Sequence, residues 1–215
     1  ARAIAFASKY RLDLLTVDAA GGGTGMSPWR MMNEWGVPPV ELHTLAYQYA
    51  KQLADKGKHL PAIAVNGGFT FEDQIFKALA MGAPYVKMVG MARAPIAAAM
   101  VGKTIGQTID AQQVPVYIER FGNSKDEIFV TAGELRHALG DKEFDRLPTG
   151  AIGLYTYYER LAQGLRQLMA GSRKFALTHM SRNDLAALTP ESARISGIRY
   201  IMDVDREEAS RILDI

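Results

Sequence analysis

Residues 61–93 read PAIAVNGGFTFEDQIFKALAMGAPYVKMVGMAR, and the fold is decided here. Two short apolar runs, Pro61 to Val65 and Tyr85 to Val89, each stop at glycine: Asn66-Gly67-Gly68 after the first and Gly90-Met91-Ala92-Arg93 after the second. Runs of this length, rich in Val and Ile and closed by glycine, predict buried parallel strands. Thr70 to Met81 between them predicts a helix, with Phe71, Ile75, Ala78 and Leu79 as its apolar stripe, Thr70 as its cap and Gly82 as its stop. Strand, helix and strand at this spacing form a βαβ unit with the glycines at the strand C-termini. Bare backbone N–H groups at such tips suit an anion, so the stretch reads as a phosphate grip.

Upstream the same pattern repeats. Ile4 to Lys9 predicts the end of a helix, and Leu12 to Val17 a strand running into Asp18-Ala-Ala-Gly-Gly-Gly-Thr-Gly25. The glycines Gly21, Gly22, Gly23 and Gly25 let the backbone approach a ligand closely; a flexible loop is the plain alternative, against which stands their position at a buried strand's end. Ser27-Pro28 predicts an N-cap and first turn for a short helix through Trp29, Arg30 and Met32. Val37-Pro38-Pro39 breaks it, and Glu41 to Lys56 predicts a longer helix with Leu42, Leu45, Ala46, Tyr49 and Leu53 on one face. His43 and His59 have no second ligand at metal spacing and read as surface or packing histidines. Beyond Arg93, Ala94 to Ile105 predicts an alanine-rich helix over the last strand.

Composition excludes several function classes. The 215 residues are 48% apolar, enough for a buried core, with a net charge of +2 too small and too scattered for a nucleic-acid footprint. No run is long enough to cross a bilayer, so a soluble, cytoplasmic protein is expected. With no cysteine, disulfides, thiolate metal sites, iron–sulfur ligation and cysteine nucleophiles are excluded within these residues, and no metal site is expected. The chain opens on Ala1 without an initiator Met or signal-peptide pattern, and is expected to be cut from something longer.

From about Gly106 the character changes. Val114-Pro-Val-Tyr-Ile118 is an extended candidate, Phe121 to Ser124 a turn, Thr131 to Leu139 a helix. Gly153 to Ala170 is the strongest helix of this half, with Leu154, Tyr157, Tyr158, Leu161, Leu165 and Leu168 at helical spacing; its tyrosines read as core rather than a stacking platform. Ser181 to Asp184 opens a short helix ending at Thr189-Pro190, and Asp203 to Leu213 is a last amphipathic helix.

The order of these signals is similar to a known family. Gly22-Gly23-Thr24-Gly25-Met26-Ser27-Pro28 after a strand, then Trp35-Gly-Val-Pro38, a helix, a strand ending in a glycine pair, a helix ending Ala80-Met-Gly-Ala83 and a strand ending in Gly90 resemble the FMN-binding synthase domain of glutamate synthases, from about Leu12 to Ile105. Tyr157 to Leu188, with Leu165, Arg166, Met169 and Ala186-Ala-Leu188, resembles the helical tail that follows the barrel there. The resemblance implies an α/β fold: residues 1–105 the C-terminal half of a TIM (β/α)8 barrel, strands 6–8, and residues 106–215 a mainly helical C-terminal extension. It implies FMN, with Asn66, Gly67, Gly68, Gly90, Met91 and Ala92 at its phosphate and Gly22, Gly23 and Thr24 beside the flavin or substrate. The implied activity is reduction of 2-iminoglutarate, formed from 2-oxoglutarate and ammonia or glutamine-derived ammonia, to glutamate; an inactive barrel remnant serving as an assembly module is the alternative. An inosine-monophosphate dehydrogenase-like barrel uses a loop cysteine, which is absent here.

The chain departs from that family in two ways. Larger members follow the eighth strand with cluster-binding cysteines, where this sequence has Ala92-Arg-Ala-Pro-Ile-Ala-Ala-Ala-Met100; no iron–sulfur cluster is expected within the chain, and an electron-donor partner protein takes its place. The family's substrate-binding lysine and glutamate fall before the sixth strand, so no catalytic residue is nominated and a missing N-terminal barrel half is the expected partner. Three strand-helix units leave two open sheet edges, which favour self-association into a homo-oligomer and weak flavin binding by this piece alone. Arg93 reads equally as a phosphate-neutralising group or the partner of an acid on a neighbouring helix. Asp18, Arg30 and Glu34 read as ordinary loop and helix charges.

Overall fold

The computed structural model describes every residue except Thr24, Gly25 and Ile215. It divides into two compact units, residues 1–91 with 165–215, and residues 92–164.

The first unit carries the sheet. In chain order it runs α1 (Arg2–Lys9), β1 (Leu14–Asp18), α2 (Trp29–Asn33), α3 (Pro39–Asp55), β2 (Ala62–Asn66), α4 (Glu72–Gly82) and β3 (Val86–Val89). The strands pair in parallel in the order β1-β2-β3, with Asp18 opposite Asn66 and Val65 opposite Val89, so all three C-terminal tips lie side by side. Ile63, Val65 and Val86 point into a core closed by Ile4 of α1, Ala50 of α3 and Ala78 of α4. Only β2 is buried throughout its middle. β1 alternates exposed and half-buried residues, and Leu14 and Met88 keep 48% and 43% of their surface, because each outer strand has a neighbour on one side only.

Several local expectations need correction. Ser27 does not cap α2, where Pro28 holds the N-cap position. Thr70 does not cap α4. The Gln74 side chain instead folds back to accept from the N–H groups of Thr70 and Phe71 at 2.8 and 3.1 Å. The buried stripe of α4 is Phe76, Ala78, Ala80 and Met81, and Phe71 stays exposed. On α3 the buried face holds His43, Thr44, Ala46 and Ala50, while Leu45 turns outward.

The tail completes the first unit. Its elements are short 3-10 turns at Leu177–His179, Arg182–Asp184 and Ile201–Asp203, with a helix Pro190–Ser196 and a last one at Arg206–Leu213. The 181–189 segment is thus one turn followed by extended chain, and Thr189 caps the helix beyond it by accepting from Ser192 N–H at 3.1 Å. Met169, Met180 and Leu185 pack on Phe76 and Ala80 of α4. Arg182 fastens this layer. Its guanidinium donates to the carbonyls of Met81 and Ser196, each at the C-terminal end of a helix, and stacks 4.1 Å over the Tyr47 ring. Two helix C-termini supply the negative potential that a carboxylate would otherwise provide. Burial pushes the Arg182 pKa below its ordinary value, opposed by Tyr47.

The second unit is helical: α5 (Arg93–Asp110), α6 (Val116–Glu119), α7 (Lys125–Ile128), α8 (Ala132–Leu139), α9 (Asp141–Arg146) and the start of α10 (Thr149–Gly171). The extended candidate around Val114 to Ile118 is the single-turn α6, with Pro115 fixing its entry. Gly102 and Gly106 let α5 cross α10 closely, since a Cβ at Gly106 would lie 2.0 Å from the Thr149 hydroxyl. Phe144, fully buried with Ile152, Phe129 and Ala132, sits under both Lys125 and Arg136 at 4.6 and 4.3 Å. Tyr155 and Tyr157 are half-buried and Tyr158 exposed, so these rings are not core; Tyr155 donates to Glu134 at 2.8 Å.

The Arg182 arrangement makes a prediction. Arg182→Ala strands two carbonyls at the tail's attachment and is expected to cost about 3 kcal/mol in denaturant unfolding. Arg182→Lys recovers little of it, because an ammonium can neither fork between two carbonyls nor stack as a plane. A loss below about 1 kcal/mol would show that the tail is held by its methionines alone.

Candidate functional site

The strand tips gather most of the residues picked out from sequence. β2 ends at Asn66 and turns through Gly67 and Gly68 at φ of +117° and +77°, a path that side-chain-bearing residues take only under strain. The β1 loop comes alongside: the direction in which a Cβ would leave Gly21 points at Gly68, 3.8 Å away. The β3 tip is equally near, because the Asn66 side chain lies over the Cα of Gly90, its Oδ1 1.9 Å from where a Cβ would stand. All three loops therefore converge. Beside Gly68 itself the space is open.

The glycines do not all do the same thing. Gly90 N–H donates to Val65 carbonyl at 2.9 Å, Gly22 N–H to Ala19 carbonyl at 2.9 Å, and Gly21 N–H to Met32 carbonyl at 3.1 Å. Those amides are spent inside the fold. What Gly22 and Gly90 provide is room, Gly22 for the Asp18 carboxylate and Gly90 for the Asn66 amide. The N–H groups of Gly67, Gly68 and Met91 have no acceptor among the described residues. Three amides without an acceptor at neighbouring strand tips add positive partial charge there.

The remaining sequence candidates are placed as follows. Gly23 is exposed, with its Cβ direction blocked by Met32. Thr24 lies outside the described residues. Ala92 and Arg93 belong to the second unit, where Ala92 stands at the N-cap of α5 and Arg93 opens the helix. Arg93 is exposed and forms no ion pair among the described residues, so the structural partnership expected for it as an alternative is not made. Asp18 is exposed at the β1 tip.

Of the two alternatives expected for His43, surface or packing, the structure shows packing. It is 2% exposed, stacked on Phe69 with centroids 5.7 Å apart and an interplanar angle of 12°, and its Nε2 is buried without a hydrogen-bond partner. Burial lowers its pKa from the ordinary 6.5, and a hydrogen bond with the Asn66 backbone opposes that. The ring is neutral at neutral pH. Its signal in the sequence was slight: a histidine three residues before Ala46 on a helix leading to the glycine-ended strand. His59, half-buried, lies 3.0 Å from the Leu12 carbonyl and does no more than tie two loops.

A concavity lies in the helical unit, a cleft of about 920 Å³ lined by Ile96, Met100, Lys103, Asp110 and Leu154 among others. Its size suits a small molecule. Much of its charge is already committed, Lys125 to the carbonyls of Phe144 and Asp145 and Asp126 to Arg136. Among the described residues there is no group of three metal-ligating side chains, and no helix long and apolar enough to cross a membrane.

Residues 1–102 match the family described as the conserved region in glutamate synthase, which takes in α1 to β3 and stops inside α5. The matched stretch is a little under half of the chain. No curated protein and no solved structure matches the chain. Most of the lining of the helical cleft falls beyond residue 102, whereas Gly67, Gly68 and Met91 fall within the matched region.

Two outcomes follow for the tips. Gly67→Ala drives a Cβ to 2.8 Å from that of Ala19 at φ +117°, and is expected to cost about 3 kcal/mol, whereas Gly68→Ala meets open space at φ +77° and costs about 1 kcal/mol. Unfolding curves that reverse this order contradict the geometry. The second outcome is a pH dependence. The unfolded chain protonates His43 below about 6.5 while the folded chain resists it, so the contribution is intact above that pH and is lost progressively on acidification towards the lower folded value. Between about pH 7.5 and 5.5 the wild-type thermal midpoint is expected to fall more than that of His43→Phe; equal slopes would mean that the ring titrates freely.

Proposed function

We propose that this chain is the C-terminal part of an FMN-dependent, glutamate synthase-like oxidoreductase, with β1, β2 and β3 standing as strands 6–8 of a (β/α)8 barrel. The single observation that carries the reading is the trio of unspent amides of Gly67, Gly68 and Met91 within the region matched to glutamate synthase. In barrels of this class a ligand's phosphate rests on the loops after the last two strands. A dianionic phosphate would take amide donors to its oxygens, and the space beside Gly68 is open for its approach.

The sheet supports the same reading. The face turned away from α1, α3 and α4 carries Thr16, Ala64 and Met88 in register, with Thr16 and Met88 exposed. Closing a barrel would cover this face and pair both open edges, and a missing N-terminal half is the partner that fits them.

FMN, when bound, supplies hydride chemistry between an electron donor and a 2-imino acid such as 2-iminoglutarate. The chain's own residues bind and orient. Gly67, Gly68 and Met91 would hold the phosphate through their amides; Gly22 and Gly90 keep Asp18 and Asn66 folded back so that nothing with a side chain obstructs the approach. With no cysteine in the chain, electrons enter through a partner rather than a cluster held here, and a cytoplasmic setting is consistent with this chemistry.

The test is direct. The chain joined to its N-terminal barrel half, purified and supplied with FMN, is expected to show flavin absorption bands and, with a reductant, 2-oxoglutarate and ammonia, to form glutamate, whereas this part by itself takes up FMN weakly. Bound flavin without turnover points to an inactive remnant of the barrel, and a colourless protein that takes up no FMN defeats the oxidoreductase reading.

A further inference from the structure

Asp18 stands where a charge needs a reason. It closes β1 directly opposite Asn66, the last residue of β2. Leu15, Val17, Ile63 and Val65 pack into the core, so strand alternation turns Asp18 and Asn66 to the opposite face, next in line after Thr16 and Ala64. That face is the one turned away from α1, α3 and α4, and a closed barrel would turn it inward. Barrel enzymes take their catalytic groups from the C-terminal ends of strands, which is the position Asp18 holds.

The loop after β1 is shaped around this carboxylate. A Cβ at Gly22 would collide with Asp18 Oδ1, so a residue without a side chain is what leaves it room. Asn66 leans the other way, over the Cα of Gly90. Asp18 itself is exposed and forms neither an ion pair nor a side-chain hydrogen bond among the described residues. On an open sheet water satisfies such a group. In the mouth of a closed barrel that solvation is reduced, and an unpaired carboxylate there is costly unless a cation meets it.

We infer that Asp18 is a substrate-binding residue whose carboxylate receives the cationic nitrogen of the substrate: the iminium of a 2-imino acid and, after reduction, the ammonium of the amino acid. The inference rests on the oxidoreductase reading and deepens it, because a 2-oxo acid and the matching 2-imino acid differ at that one atom. A carboxylate placed there favours the compound that brings a positive charge and disfavours the oxo acid, whose oxygen brings none.

The experiment uses the chain joined to its N-terminal barrel half and compares the wild type with Asp18→Asn, which keeps the shape and removes the charge. Calorimetry reads the binding of FMN, and of L-glutamate and 2-oxoglutarate with and without flavin. Asp18→Asn is expected to bind glutamate about tenfold more weakly, the size of one charge-assisted hydrogen bond, with 2-oxoglutarate as tight as before or tighter and FMN unchanged.

Glutamate binding that is unchanged in Asp18→Asn overturns the inference. Equal weakening of both acids overturns it as well, since that marks a loosened loop and not a lost charge, and so does a wild type that binds neither acid. A wild type that binds glutamate but no FMN defeats the flavin reading alone, and the comparison of the two acids still decides the role of Asp18. Should Asp18→Asn fail to fold, Asp18→Ser is put through the same measurements, and an unchanged ratio of the two affinities there counts against the carboxylate.

Discussion

A backbone amide at the end of a parallel strand either joins the ladder or faces outward, and that allocation governs this molecule. β2 has strands on both sides, and its ladder is closed as far as Asn66, whose carbonyl accepts from Ala19 at 3.0 Å. One residue later the chain must leave the sheet. Gly67 and Gly68 leave it through positive φ, and their N–H groups have nowhere inside the protein to go. An unsatisfied donor is a cost in the empty protein and an asset once an anion arrives. The helices behind the sheet, the Asn66 side chain across Gly90 and the stacked His43 all keep that exit in one shape.

The other layers of the first unit serve the same end at a distance. α4 starts directly after the glycine turn, and Gln74 ties its first residues down by accepting from Thr70 and Phe71. At its far end the Met81 carbonyl is held by Arg182 from the tail. A helix anchored at both ends cannot slide, so the loop that feeds it keeps its geometry. The tail is thereby part of the scaffold of the tips, although it lies beyond the region matched to glutamate synthase.

Much of the fold was legible because its signals are local. Apolar runs that end at glycine gave β2 and β3, and the proline pair before α3 gave its start within two residues. What stayed hidden depends on partners far along the chain. Leu45 looks like a core residue by type, yet His43 and Thr44 take the buried face because α3 rotates to set them against the β2 tip. Val114 to Ile118 has strand-forming residues but no sheet to join, so the single turn after Pro115 wins. Of the candidate site, the glycines could be picked out but not sorted. A glycine whose amide closes a ladder, such as Gly90, and one whose amide is free, such as Gly68, are the same letter.

The central claim is that the free amides of Gly67, Gly68 and Met91 hold the phosphate of a flavin nucleotide. Amide proton and nitrogen shifts recorded while FMN is added to the isotope-labelled full chain test it most directly. The account predicts that those three resonances move together, saturably and downfield, while Gly22 and Gly90, whose amides are already bonded, move little. Saturable shifts confined to the helical cleft around Met100 and Lys103, with the three amides unmoved, would contradict it.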